Sequence, residues 1–181
     1  MVISTVVQGH TFTIAEKYRP KSILGRGSFG VVCTAYDSEN DKTIAIKRIR
    51  PFANDEWDAK HTLREIRLLK LFKDHPNVIT LYSLSLFEEK SELYMMMELM
   101  DCDLHRVIQS KQELTEAHIK CFAKQLLEGI KALHSVGVFR NLHIINNLSF
   151  YLPANYNLSL YFIKDRDIKP GNILVSKDWL V

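Results

Sequence analysis

Three glycines near the start of the chain have the spacing of a phosphate-binding turn. Gly25, Gly27 and Gly30 stand in the stretch LGRGSFGVV. Glycine lets backbone amides approach phosphate oxygens without a clash from Cβ. A simple glycine hairpin and a dinucleotide-binding turn have similar glycines, so the spacing alone leaves both open. The dinucleotide turn opens a helix, however, whereas VVCTAYD is strand-like, and the Gly-Lys-Ser/Thr of a Walker loop is absent.

A lysine and a glutamate downstream could complete such a site. Lys47 lies in TIAIKRI, an alternating β-branched run that predicts a strand directly after the glycine-rich hairpin. From that strand its ammonium could reach bound phosphates. Glu65 follows on a charged helix, in TLREIRLL, where an ion pair with Lys47 would hold the ammonium in place. The ordinary alternatives are a solvent-facing lysine and a surface glutamate.

The stretch RDIKPGNILV, residues 166–175, combines three further chemical groups. Asp167 could accept or orient the proton of an attacking hydroxyl. Lys169 could offset charge on a transferring phosphoryl group, and Asn172 could bind a metal ion. The alternative is a polar turn built on Pro170 and Gly171, followed by a short strand.

The elements that must position these residues follow from periodicity. Alternation predicts five strands, at residues 18–24, 31–37, 43–49, 78–88 and 92–99. A helix over residues 55–72 has an apolar stripe at Leu63, Ile66 and Leu69. A longer helix is capped by Thr115. Its predicted buried face is Ile119, Phe122, Leu126, Ile130 and Leu133. This order predicts an α+β protein, with a sheet lobe and a helical lobe joined near Met100.

The motifs GxGxxGxV, AIK, a helix glutamate and RDxKPxN occur in the order found in eukaryotic protein kinases. The chain resembles that family over residues 18–178. TLREIRLLK and ELMDCDLHRVI are similar to the mitogen-activated protein kinase group. The resemblance implies a bilobal α+β kinase-like fold, with a complete five-stranded N-lobe, an αC helix and a partial helical C-lobe. It also implies a Ser/Thr protein kinase that uses ATP and Mg²⁺, modifies protein substrates and answers to an upstream kinase.

The same resemblance assigns roles by position. Met97 would be the gatekeeper beside the adenine pocket, Glu98 to Met100 the hinge, and Asp103 a ribose neighbour. The implied ATP-binding set is Leu24, Gly25, Arg26, Gly27, Ser28, Phe29, Gly30, Val32, Ala45, Lys47, Met97, Glu98, Met100 and Asp103. The implied catalytic set is Lys47, Glu65, Asp167 and Lys169, with Asn172 as metal ligand.

The chain departs from the family before the catalytic loop. Residues 140–165 stand where the family has a single histidine, and no charged residue occurs between Leu142 and Ile163. A histidine codon split by a GT…AG intron would read as Arg140 at one end and Asp165 at the other. We therefore interpret residues 140–165 as a translated intron, with a genuine loop insertion as the alternative.

A second departure concerns the end of the chain. The family's Asp-Phe-Gly and activation segment do not occur before Val181. We therefore expect the chain as written to be inactive, and we expect the strand around Val175 to lack its hairpin partner. The alternative function is a non-catalytic nucleotide-binding or interaction fragment.

We divide the chain into five parts by these features. They are an N-terminal extension (1–17), an ATP-binding lobe (18–100), the start of a helical lobe (101–139), the insert (140–165), and the catalytic loop with the chain's end (166–181).

The composition of the chain limits the classes of partner and the cellular compartment that we expect. The net charge of +3 gives no reason to expect a nucleic-acid or membrane partner. Several asparagines and Pro153 argue against a transmembrane helix in the uncharged insert. Three scattered cysteines and the lack of a signal-peptide pattern predict an intracellular protein, cytoplasmic or nuclear.

Overall fold

The structure is a computed structural model that describes residues 1–27, 30–110, 115–137, 157–160 and 169–176, with only the backbone for residues 118 and 157–160. The chain divides into two compact units. The first comprises Met1–Ile66 and Thr80–Leu99, and the second comprises Arg67–Ile79 and Met100–Val181.

The first unit begins with a hairpin for which the sequence analysis predicted no element. Strands β1 (Val2–Val7) and β2 (His10–Ala15) pair antiparallel along their whole length. Gln8 and Gly9 form the two-residue turn, with φ angles of 48° and 81°. Two left-handed residues suit the right-handed twist of the flanking strands. The N-terminal extension is therefore ordered secondary structure.

The five predicted strands are confirmed as one antiparallel sheet. They are β3 (Tyr18–Gly27), β4 (Gly30–Asp37), β5 (Lys42–Ile49), β6 (Leu81–Phe87) and β7 (Glu92–Met97). Their order across the sheet is β3-β4-β5-β7-β6. Alternate residues of β4 are buried, as the period of two requires.

The N-terminal hairpin shares the hydrophobic core on one face of this sheet. Phe12 and Ile14 of β2 are fully buried. The core they share is completed by Val7, Tyr18, Val31, Cys33, Ala35, Ile44, Ile46, Tyr94 and Met96. Burial of the Cys33 thiol in this core raises its pKa to about 12. The sheet is thus covered on this face by residues outside the predicted lobe.

Helix α1 (Glu56–Leu71) confirms the predicted helix. Asp55 accepts a hydrogen bond from the Asp58 amide at 2.7 Å, which fits an N-cap. The predicted apolar stripe is confirmed at Leu69, which is buried, and Ile66 is half-buried. It is wrong at Leu63, which is 47% exposed, because the buried face includes Thr62 and Glu65 instead.

The second unit contains the remaining elements. They are β8 (Cys102–Asp103), α2 (Leu104–Gln109), α3 (Glu116–Ser135), β9 (Asn157–Leu160) and β10 (Ile173–Ser176). The predicted buried face of α3 is confirmed at Phe122, Leu126, Ile130 and Leu133. Ile119 is half-buried.

Strand β10 lies between two neighbours, in the order β8-β10-β9. The expectation that the strand around Val175 lacks a hairpin partner was therefore wrong. Its partner β9 comes from the segment 140–165, with Leu158 opposite Val175 and Leu160 opposite Ile173. The alternating sequence NLSL suits a strand, and this part of the segment is the only part described.

Candidate functional site

A buried ion pair joins the two residues that the sequence singled out first. The Lys47 ammonium lies 2.7 Å from a Glu65 carboxylate oxygen, and their side chains are 8% and 4% exposed. Strand β5 presents Lys47, and helix α1 presents Glu65 toward it. A buried charge is tolerated only when it is paired. The predicted ion pair is therefore present, and the alternative of two solvent-facing side chains is excluded.

The glycine-rich stretch forms the hairpin end of β3 and β4. Gly25 pairs with Val32 and Gly27 pairs with Gly30. A Cβ on Gly25 or Gly27 would meet no atom within 4 Å. These two glycines thus leave open space above the backbone, which is what an approaching phosphate would need. Ser28 and Phe29 lie outside the described residues.

Gly30 is required by the packing of the fold rather than by a ligand. Its φ of 129° is strained for any side chain, and a Cβ there would overlap the carbonyl oxygen of Arg48. The carbonyl carbon of Arg48 would lie 2.9 Å from that Cβ. The third glycine of the motif therefore lets the hairpin pack directly against β5.

Sheet register places the glycine turn and the ion pair in one row. Val32 pairs with Gly25 on β3 and with Lys47 on β5, and Lys47 pairs in turn with Met95 on β7. Adjacent strands lie about 4.8 Å apart, so the backbones at Gly25 and Lys47 are roughly 10 Å apart. A lysine side chain can cover much of that distance, so both groups can act on one ligand.

The predicted adenine-pocket residues of the first unit lie farther along the same strands. Ala45 pairs with Met97 and both are buried. The Glu98 amide donates to the Thr80 carbonyl at 2.9 Å, and a Glu98 carboxylate oxygen accepts from the Thr80 amide at 3.3 Å. Leu24, by contrast, is an exposed apolar residue directly before the glycines.

The second unit contains the other predicted residues. Asp103 caps α2 by accepting the Arg106 amide at 2.9 Å, and it pairs with Leu174 across β8 and β10. Asn172 is buried in a 3-10 turn, and its amide donates to the Lys169 carbonyl at 2.8 Å. Met100 is buried in the same unit. Asp167 lies outside the described residues.

A magnesium site is not assembled from the residues that the structure describes. Asn172 can offer an amide oxygen, which is a ligand that Mg²⁺ accepts. Within the described ranges, no group of three His, Cys, Asp or Glu could hold a metal ion. A single amide is too little for a site, so no chemical step is derived through the metal.

The polar groups that connect the N-terminal hairpin to the sheet were not predicted from the sequence. Tyr94 accepts from the Thr13 amide at 2.9 Å and donates to Glu92 at 2.8 Å. Burial, reinforced by the bond to Glu92, raises the pKa of the Tyr94 hydroxyl to about 12. The missed signal was the β-branched residues of VISTVV and HTFTIA on either side of a Gln-Gly turn.

Comparison with known proteins gives consistent matches. The family model of the protein kinase domain matches residues 18–146. Mitogen-activated protein kinase 3 of Arabidopsis thaliana is 36% identical over 96% of this chain and 41% of its own length. Mitogen-activated protein kinase 6 of Oryza sativa subsp. japonica is 40% identical over 85% of this chain and 41% of its own length.

A third relative extends the match to nearly the whole chain. Extracellular signal-regulated kinase 1 of Dictyostelium discoideum is 36% identical over 99% of this chain and 30% of its own length. The chain thus spans about two fifths of the length of the curated relatives it matches, or less. No helix within the described part of the chain is long and apolar enough to cross a membrane.

Proposed function

Because this chain belongs to the protein kinase family, and within it to the mitogen-activated protein kinase group, we propose that its protein transfers the γ-phosphate of ATP to Ser or Thr of other proteins. The observation that carries this function is the buried Lys47–Glu65 pair beside the glycine hairpin. An ammonium held in this way can bind ATP phosphates with little loss of side-chain freedom on binding.

We assign the individual roles from the motif order in the sequence and, in the first unit, from the contacts of Lys47 and Glu65. Open backbone at Gly25 and Gly27 covers the phosphates, and Lys47 contacts them while Glu65 fixes its ammonium. The substrate hydroxyl oxygen bonds to the γ-phosphorus, the bond to the bridging oxygen breaks, and ADP leaves. Asp167 takes the hydroxyl proton, and Lys169 offsets charge on the phosphoryl group. Asn172 would be one ligand for Mg²⁺, whose charge would offset that of the phosphates.

The setting of this function is a signalling cascade inside the cell. The partners are ATP, protein substrates and an upstream kinase, in the cytoplasm or the nucleus. Cys33 and Cys121 are free thiols, which supports a reducing compartment.

A second function is a non-catalytic nucleotide-binding or interaction module. The observation that favours it is Asp165, which precedes Arg166 where the family has histidine, at the end of the segment 140–165. A carboxylate there cannot brace the catalytic loop as an imidazole does. Such a module would bind ATP through Lys47 without transferring phosphate.

One experiment separates the two functions. The purified chain is incubated with labelled ATP, Mg²⁺ and a serine-rich protein, while its thermal unfolding is followed with and without ATP. Transfer that is abolished by Asp167→Asn, with stabilisation by ATP retained, supports the kinase. Stabilisation without transfer supports the module. The absence of both transfer and stabilisation would contradict both functions.

The interpretation of residues 140–165 is tested at the transcript. We expect mature transcripts to join the codon of Phe139 to a His-Arg-Asp sequence. Transcripts that retain the whole segment would contradict the intron hypothesis and favour the non-catalytic module.

A further inference from the structure

Arg48 lies directly after Lys47 on β5, and its side chain points to the opposite face of the sheet. Lys47 reaches toward Glu65, whereas Arg48 reaches toward the N-terminal hairpin. Its guanidinium donates to the Thr11 carbonyl and lies 5.2 Å from the centre of the Phe12 ring. It also lies 4.0 Å from the buried Glu92 carboxylate. Arg48 thus connects β5 to strand β2.

The backbone of the same arginine supports the glycine turn. Gly30 packs so closely on the Arg48 carbonyl that no side chain would fit between them. Val31, the next residue, pairs with Arg48 in the sheet. The position of one arm of the glycine turn therefore depends on the position of Arg48.

The other arm of the turn has its own contact with the hairpin. Arg26, paired with Val31 on β3 and β4, donates to the Gln8 carbonyl at 3.4 Å. Gln8 belongs to the tight turn of the N-terminal hairpin. This contact is exposed and long, so it is the weaker of the two. Both arms of the glycine turn are nonetheless connected to residues 8–12.

We propose that the N-terminal hairpin positions the glycine turn over the phosphates of ATP, and that Arg48 is the positioning residue. This role rests on the proposed nucleotide binding, and it adds residues 1–17 to the determinants of ATP affinity. Arg48 contacts no phosphate in this proposal; it acts through Gly30. Its loss should therefore weaken binding of the phosphates and leave binding of the adenosine part unchanged.

The test compares Arg48→Met with Arg50→Met in the full chain. Arg50 is a matched control because it also pairs with Glu92, at 3.2 Å, but its side chain is 60% exposed. Calorimetry gives the dissociation constants of ATP and of adenosine for each variant. We expect Arg48→Met to raise the constant for ATP at least about fivefold, and both constants of Arg50→Met to stay within about twofold of the wild type. Arg48→Lys, which keeps a donor for Thr11, should restore part of the ATP affinity.

Equal weakening of ATP and adenosine binding, or no weakening of either, would overturn the positioning role. If Arg48→Met does not fold, Arg26→Met replaces it, because Arg26 is exposed. Since Arg26 also belongs to the implied ATP-binding set, this variant is judged without nucleotide: amide exchange at residues 30–31 should be faster than in Arg50→Met, and equal exchange overturns the role.

A second measurement keeps this test separate from the proposed function. Amide hydrogen exchange at residues 25–27 and 30–31 should be faster in Arg48→Met than in Arg50→Met, with no nucleotide present. If the wild-type chain binds no ATP, the proposed function is contradicted. In that case amide hydrogen exchange is the one test of whether Arg48 positions the glycine turn. Equal exchange in the two variants would overturn that role.

Discussion

The ammonium of Lys47 and the carboxylate of Glu65 form an ion pair 2.7 Å long in which both side chains are almost fully buried. Two charges removed from water recover the cost of desolvation only through each other and through further hydrogen bonds. The pair is therefore a costly arrangement for stability alone. Its placement next to a glycine turn with open backbone space supports the proposed use of the ammonium as a ligand for phosphate.

Breaking this pair from one side should destabilise the protein strongly. Lys47→Met removes the ammonium that neutralises the buried Glu65 carboxylate, and we expect a loss of about 3–5 kcal/mol in the free energy of unfolding. The double variant Lys47→Met/Glu65→Leu should recover much of this loss, because no buried charge remains. Urea unfolding of the wild type, both single variants and the double variant measures the coupling.

A surface pair of equal length serves as the control. Lys60 and Glu56 are 2.6 Å apart with side chains 70% and 81% exposed. Lys60→Met should leave the free energy of unfolding nearly unchanged, since water screens exposed pairs. If Lys47→Met and Lys60→Met change the free energy of unfolding equally, the Lys47–Glu65 pair is not buried.

The three motif glycines should separate into a structural one and two functional ones. In Gly30→Ala the methyl group meets the Arg48 carbonyl at a strained φ, so we expect a loss of at least about 1–3 kcal/mol in the free energy of unfolding. Gly27→Ala has open space and should unfold like the wild type. Because its methyl group occupies the space proposed for phosphate, its ATP affinity should fall, as measured by calorimetry. Unfolding curves in which Gly27→Ala is the less stable variant would contradict this assignment.

The Tyr94 hydroxyl should contribute to stability in a pH-dependent way. Tyr94→Phe removes the acceptor for the Thr13 amide and a donor to Glu92, so near neutral pH we expect a loss of about 1–3 kcal/mol. The folded-state pKa of Tyr94, about 12, lies above the ordinary value of 10. The folded protein therefore holds this proton more tightly than the unfolded chain.

The sign of the pH effect follows from that difference. The stability that the Tyr94 hydroxyl contributes is complete below pH 10 and is lost as the pH rises through about 12. Urea unfolding of wild type and Tyr94→Phe at several pH values should show their difference shrinking over this range. Comparison of the two proteins at each pH isolates the contribution of the Tyr94 hydroxyl. A difference that grows with pH would contradict the hydrogen bonds assigned to Tyr94.

Local pattern was enough to predict the strands, because they depend on period, and the order of the motifs was enough to predict the Lys47–Glu65 pair. The stripe of α1 was wrong at Leu63 because apolar character was counted and Glu65 was not. A charged residue can be buried on the apolar face of a helix when another element supplies an oppositely charged partner. For Glu65 that partner is Lys47, which lies 18 residues earlier in the sequence. That partnership is long-range, so the stripe could not be placed by periodicity alone.

The position of the N-terminal hairpin on the sheet could not be predicted for a related reason. Buried apolar residues on both faces of β5 and β7, such as Ile46 and Met96 on one face and Ala45 and Met97 on the other, indicate a sheet that is covered on both sides. The sequence contains this signal, but it does not say which segment supplies the cover. The contacts of Arg48 with residues 11 and 12 arise only after the hairpin has folded over the sheet, and no local pattern encodes them.

Phe12 should therefore be as important to the first unit as a residue of the sheet itself. It is fully buried on the sheet face, and its ring lies 6.4 Å from the ring of Tyr94. We expect Phe12→Ala to lower the free energy of unfolding by about 3–5 kcal/mol. Val6→Ala on β1 is the control, since that side chain is 68% exposed and should have little effect in the same urea titration.

Removal of the whole hairpin tests the same point more strongly than Phe12→Ala. The shortened chain begins at residue 18, where the match to the family model also begins. Removal of the hairpin uncovers the apolar face around Ile44 and Ile46, which favours aggregation. We expect this shortened chain to bind a hydrophobic dye and to unfold at lower urea than Phe12→Ala. If it stays monomeric and as stable as the full chain, the hairpin is not part of the core.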